Sequence, residues 1–178
     1  MEQTLQHQST ITTEEGLQLL DTLDAVDLEF MWGRWQGVGL PSNHPMDGLL
    51  EAANWYGKEF VDAEHVHPLL FSMPNGEIIK VAPNPNAMKM TLSLPLPKNV
   101  DNPVLKFLFT TMNGFLKTEQ SQARLRMMEH RGKVSATMIY DHLPINDSFR
   151  KIDDNRVLGV MDYKEIEQPF FFVLTRTS

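Results

Sequence analysis

Hydrophobic and polar positions change period twice along the chain. Thr12 and Glu15 stand three apart, ahead of Leu17, Leu20 and Leu23 to Val26 at near-helical spacing. That is a capping-box pair before an apolar stripe, and it predicts a first helix. Phe30 to Gly39 is then rich in aromatics, with glycines at 33, 37 and 39. Glycines in an aromatic run are poor helix material and predict a bent strand, or a place where another backbone comes close. Asn43 to Gly48 reads as a loop. Asp47 is placed to cap a second helix through Leu49, Leu50, Ala52, Ala53 and Trp55, up to about Gly57.

Beyond that point the pattern becomes one of short extended runs. His65–Phe71, Glu77–Val81 and Met88–Leu94 read as strands between Pro, Gly and Asn turns. Residues 95–103 hold three prolines and predict a loop, whereas residues 104–117 are apolar nearly throughout and read equally as helix or strand. Ser121–His130 and Lys133–Asp141 meet at Arg131-Gly132, a hairpin signal. Phe149–Asp153 and Arg156–Asp162 meet at Asp154-Asn155, and Phe170–Thr175 is the final strand. About nine short sequential strands with two or three helices predict a mainly β fold: a single antiparallel calycin-like barrel, or a strongly curved sheet. Residues 1–11 read as a flexible tail and 12–178 as one domain, because neither half has enough strands to close alone.

Composition narrows the function classes. The 178 residues carry a net charge of −7, which gives no bulk attraction to nucleic acid or anionic membranes. Cysteine is absent, so disulfides, thiolate metal sites and a cysteine nucleophile are excluded. Met1 to Thr10 is polar and lacks the regions of a secretory leader, and no apolar stretch approaches the ~20 residues of a membrane span. The expectation is a soluble cytoplasmic protein.

Two blocks of sequence carry a resemblance. Gly33-Arg34-Trp35-Gln36-Gly37 has the form G-x-W-x-G, and is followed by His44-Pro45-Met46-Asp47-Gly48-Leu49-Leu50-Glu51-Ala52 and Trp55-Tyr56-Gly57-Lys58. Over residues 28–90 the chain resembles the bacterial GXWXG family. Glu129 to Asp141, Pro144-Ile145, Asp147 to Lys151 and Leu158 to Asp162 look like the domain of unknown function 4334, over residues 118–176. The family resemblance implies no particular activity. A structural resemblance is to lipocalin-like and nitrobindin-like barrels, which carry G-x-W near their first strand. There the Trp closes one barrel end under an Arg of the last strand, which implies a meeting of Trp35 with Arg176. The late histidine that holds haem in nitrobindin-like barrels has no counterpart after His142. No cofactor and no metal site is expected.

Strand alternation puts Arg124, Arg126, Met128 and His130 on one face and Ala123, Leu125, Met127 and Glu129 on the other. Two arginines at the depth of an apolar cavity would hold a carboxylate or phosphate; an exposed basic face paired with acids is the alternative. Trp35, Trp55, Tyr140, Met128, Met138 and His44 are candidates for the remaining ligand contacts, since aromatic and Met side chains line adaptable apolar walls. This predicts a binding protein for a hydrophobic ligand with an acidic head, a fatty acid or phospholipid. One alternative is a small hydrolase or isomerase using a His/Asp base among His44, Asp47, Tyr140, Asp141 and His142. Another is an assembly protein that forms a homodimer through exposed Phe and Met.

Overall fold

The computed structural model describes residues 10–86, 88 and 103–177. Helix α1 (Thr13–Thr22) is followed by strand β1 (Asp24–Ala25), the short helix α2 (Leu28–Met31) and β2 (Gly33–Leu40). Helix α3 (Leu49–Ala52) leads to β3 (Trp55–Phe60), β4 (Val66–Ser72) and β5 (Ile78–Lys80). Helix α4 (Pro103–Phe115) precedes β6 (Ala123–His130), β7 (Lys133–Tyr140), β8 (Ile145–Lys151), β9 (Arg156–Tyr163) and β10 (Ile166–Arg176).

Eight of these strands close a barrel. β2, β3, β4, β6, β7, β8, β9 and β10 are antiparallel neighbours in chain order, and β10 pairs back onto β2. An up-and-down barrel of this kind removes the free edges that a curved sheet would expose. It draws strands from both motif blocks. The weakest seam is β4 to β6, joined in register only at Val66 and Ala123, with β5 taking up the rest of the β4 edge. β1 adds to β8 where β7 diverges, and Ser135 bridges the gap: its Oγ accepts from Val26 N and donates to Phe149 O at 2.6 Å.

The local signals explain most boundaries. Thr12 and Glu15 form the expected capping box of α1. Arg131 and Gly132 both take positive φ, 51° and 77°, as a two-residue hairpin turn of the right twist requires. α1 lies on the outside of the barrel, where Leu20, Leu40, Leu158, Val160 and Phe171 form a small second core. The main core fills the barrel with Trp35, Phe60, Leu125, Met138 and Phe149, all buried.

Three expectations are corrected and one open reading is settled. The helix after Asp47 is only Leu49–Ala52: Asn54 turns to a positive φ of 58° and Trp55 already begins β3. Residues 103–115 are helical. β8 begins at Ile145, four residues before the expected Phe149, and β10 begins at Ile166 rather than Phe170. The strand expected over Met88–Leu94 lies outside the described residues except for Met88, which ends a helical turn by donating to Asn84 O. Of the tail, residues 1–9 also lie outside them, while Ile11 is buried and donates to Pro41 O.

Candidate functional site

Strand β3 departs from simple alternation. Its register against β4 shifts on either side of Gly57, a β-bulge. Gly57 has φ +148°, and a Cβ there would collide with the Trp35 carbonyl, so glycine is required. The bulge turns Trp55, Lys58 and Phe60 all toward the barrel interior, where all three are buried. A lysine is thereby placed inside an apolar barrel.

Lys58 is 3% exposed and its partner Asp147 1% exposed, with Nζ 2.9 Å from Oδ2. Nζ also donates to Pro68 O at 3.2 Å and to the Tyr140 hydroxyl at 3.4 Å. It lies 5.1 Å from the Phe172 ring centre and 5.6 Å from those of Trp55 and Tyr140. The ammonium is thus held by one carboxylate, two oxygens and three aromatic faces. Asp147 comes from β8, opposite Met138 of β7. Burial pushes its carboxyl above the ordinary carboxylate value, against the pull of Lys58. Burial, with Asp147 nearby, pushes the Tyr140 hydroxyl well above its usual value, so it stays a neutral hydroxyl.

These groups face a cavity of about 150 Å³. Its walls come from the strands through Trp55, Phe71, Met161 and Phe170, and from the α3 and α4 regions through Met46 and Met112. Asn113 of α4 donates to Ala53 O just after α3, tying the two helices together beside it. Two buried polar atoms of the lining have no hydrogen-bond partner: Asp147 Oδ1, an acceptor, and Trp55 Nε1, a donor. A buried unpartnered polar atom is costly and calls for an explanation.

The remaining candidates fall elsewhere. Trp35 is fully buried, donates from Nε1 to Met31 O, and lies 4.2 Å beneath the Arg176 guanidinium. Arg176 also donates to the carbonyls of Trp32 and Phe30. Trp35 therefore plugs the barrel under the last strand, as the calycin likeness implied, and does not line the cavity. Leu125 points into the core, so alternation turns Arg124 and Arg126 outward. There Arg126 pairs with Glu64 at 2.8 Å, and Arg124 lies 3.7 Å from Asp141. The arginines occupy the basic outer face, not the cavity, and Met128 shares that face. Met138 is core.

His44 is a latch. Its Nδ1 accepts from Met46 N, so Nε2 carries the hydrogen and donates to Gln168 O on β10. Its ring packs on Phe170, a cavity residue, and burial lowers its pKa. Asp47 accepts from the backbone of Ser42 and His44. Asp141 and His142 are exposed while Tyr140 faces inward, so the loop cluster considered for a general base is not assembled. Of the eight candidate ligand residues, Trp55 and Tyr140 line the cavity. Neither Lys58 nor Asp147 is among the ligand contacts expected from the sequence; the signal available for Lys58 was a charged residue within Trp55-Tyr56-Gly57-Lys58, beside a glycine that marks a bulge.

Fold and site define a closed antiparallel barrel with an apolar cavity and, among the described residues, one buried ion pair. The chain matches the GXWXG protein model over residues 18–76 and the domain of unknown function 4334 over residues 121–176. It belongs to the GXWXG family. A crystal structure of a protein from Thermomonospora curvata is similar, at 33% identity and a TM-score of 0.69, covering 96% of this chain and 91% of that one. Among curated proteins none matches. No helix among the described residues is long and apolar enough to cross a membrane.

Proposed function

We propose that this barrel is a binding protein for a small hydrophobic ligand whose oxygen-bearing head meets Lys58, Tyr140 and Trp55. The observation that carries the reading is the cavity's composition. Its walls are almost wholly apolar, and two of its lining residues, Trp55 and Asp147, each hold a buried polar atom with no hydrogen-bond partner, the donor Nε1 and the acceptor Oδ1. Ligand sites commonly combine apolar walls with a few convergent polar groups.

The volume sets the ligand class. About 150 Å³ is the size of cavity that holds a benzene-sized guest. A short fatty acid or a small cyclic alcohol or acid fits it; a phospholipid with two acyl chains does not. The acidic head first assigned to Arg124 and Arg126 belongs, in this reading, at Lys58. A ligand carboxylate there replaces Asp147 as the counterion, and Asp147, with its raised pKa, takes up a proton.

Native mass spectrometry of the purified protein, followed by organic extraction, tests this. A stoichiometric small oxygenated molecule supports the reading, as does a titration in which hexanoic acid and hexanol bind an empty protein. A bare mass with no response to either sinks it.

A further inference from the structure

We propose that Lys58 forms a Schiff base with a small apolar aldehyde held in the cavity. The proposal rests on the cavity being a ligand site, and adds a covalent step to it.

The placement of Lys58 is the first argument. A buried ion pair is weak as a stabilising device, because a well-packed apolar pair of similar volume is commonly as stable or more so. This chain nevertheless carries a glycine bulge whose effect is to turn Lys58 inward onto the cavity. A lysine amine in an apolar site is the usual nucleophile toward carbonyls.

The neighbours supply the proton transfers. Asp147 Oδ2 is 2.9 Å from Nζ, and its second oxygen has no partner. The Lys58 ammonium gives a proton to Asp147. The free amine adds to the aldehyde carbon, forming the C–N bond, and the carbonyl oxygen collects the proton released from nitrogen. Asp147 then returns its proton to that hydroxyl, which leaves as water while the nitrogen lone pair forms the C=N bond. One aldehyde and one ammonium become one protonated imine and one water, with no oxidant or reductant. The regenerated Asp147 carboxylate is the imine's counterion. The Tyr140 hydroxyl, 3.4 Å from Nζ, is placed to donate to the carbonyl oxygen during addition. The aromatic faces of Trp55, Tyr140 and Phe172 keep water from the imine.

The test treats the full chain with hexanal and sodium cyanoborohydride, then measures intact mass and maps peptides. The expected result is one adduct of the aldehyde's mass less one oxygen, on Lys58 in preference to the surface lysines by about tenfold. Hexanol added as competitor suppresses labelling at Lys58 and leaves surface labelling unchanged, a comparison that does not depend on any variant folding. Lys58→Met removes the preferred adduct. Labelling confined to surface lysines, in a protein that binds hexanol, overturns the Schiff base and leaves the binding reading intact. Absence of both hexanol binding and Lys58 labelling overturns the two together.

Discussion

Gly37 lies directly beneath the Trp55 indole: a Cβ added to Gly37 would overlap the ring. The second glycine of the G-x-W-x-G motif is therefore a seat for a cavity wall. The other parts of the motif do different work. Gly33 turns the chain into β2 with a φ of 110°, and Trp35 plugs the barrel. Gly37→Ala is expected to push Trp55 off its seat, costing about 1–3 kcal/mol as overpacking does. Urea unfolding and the shift in tryptophan emission measure it. An unchanged midpoint with unchanged emission contradicts the assignment.

Arg176→Met removes a cation over Trp35 and two hydrogen bonds to the carbonyls of Phe30 and Trp32. The loss is expected at about 1–3 kcal/mol, from the cation–π contact and charged hydrogen bonds together. The cavity is elsewhere, so hexanol affinity should hold within about twofold of wild type at about 25 °C in the folded protein. Calorimetry separates the two effects.

The Lys58–Asp147 pair gives a double-mutant cycle. Lys58→Met or Asp147→Leu alone strands a buried charge and is expected to cost about 3–5 kcal/mol. The double variant should recover most of that, because two apolar side chains leave nothing unpaired. Chemical denaturation of the four proteins decides it. Additive losses would show that the two residues do not act as a pair.

Acid sensitivity follows from the histidines. Burial holds His44, His67 and His130 below the ordinary value of 6.5. Each is neutral when folded and takes a proton when unfolded. Their stabilising contribution is thus present above pH 6.5 and is lost as pH falls through the lower folded values. Asp147 has the opposite sign: its folded pKa is raised, so its contribution is greatest below its ordinary 3.8 and is lost as pH rises through the folded value. Thermal unfolding between about pH 7.5 and about pH 5.5 should show a falling midpoint, with each proton worth about 1.4 kcal/mol per pH unit. His44→Gln with His67→Gln should flatten the profile. A midpoint that rises on acidification would contradict the sign.

Ligand binding should carry its own pH dependence. If a carboxylate displaces Asp147 at Lys58, binding takes up a proton, and hexanoate binds more tightly as pH falls. Hexanol brings no charge and should show no such trend. Calorimetry in buffers of different ionisation heat counts the protons. Equal slopes for the two ligands would place the carboxylate away from Lys58.

Much of the fold was legible in the sequence. Thr12 and Glu15 marked α1, Arg131-Gly132 marked the β6–β7 hairpin, and the Gly33-x-Trp35 start with a late Arg176 pointed to the plugged barrel end. The site was less legible, for two physical reasons. Alternation correctly put Arg124 and Arg126 on one face, but a period of two does not say which face is inside; Leu125, the better core residue, took it. In β3, where the sequence pattern reads as the end of a helix, the bulge at Gly57 breaks the period of two, so that Trp55 and Lys58 are both buried. Asp147 lies in β8, which starts earlier than its polar sequence indicates because Asp147 is paired with Lys58, a residue far away in the chain. Long-range charge pairing of this kind leaves no local trace.

The central claim is that a small hydrophobic ligand occupies the barrel cavity. NMR of protein carrying 13C-methyl methionine, titrated with hexanoic acid, tests it most directly, because methionines stand both inside the cavity and outside it. The methyl signals of Met46, Met112 and Met161, which line the cavity, should shift together and saturate. That of Met127, which is exposed toward the far end of β6 and does not line the cavity, should stay in place. No movement of the three cavity methyls, or equal movement of Met127, would contradict the account.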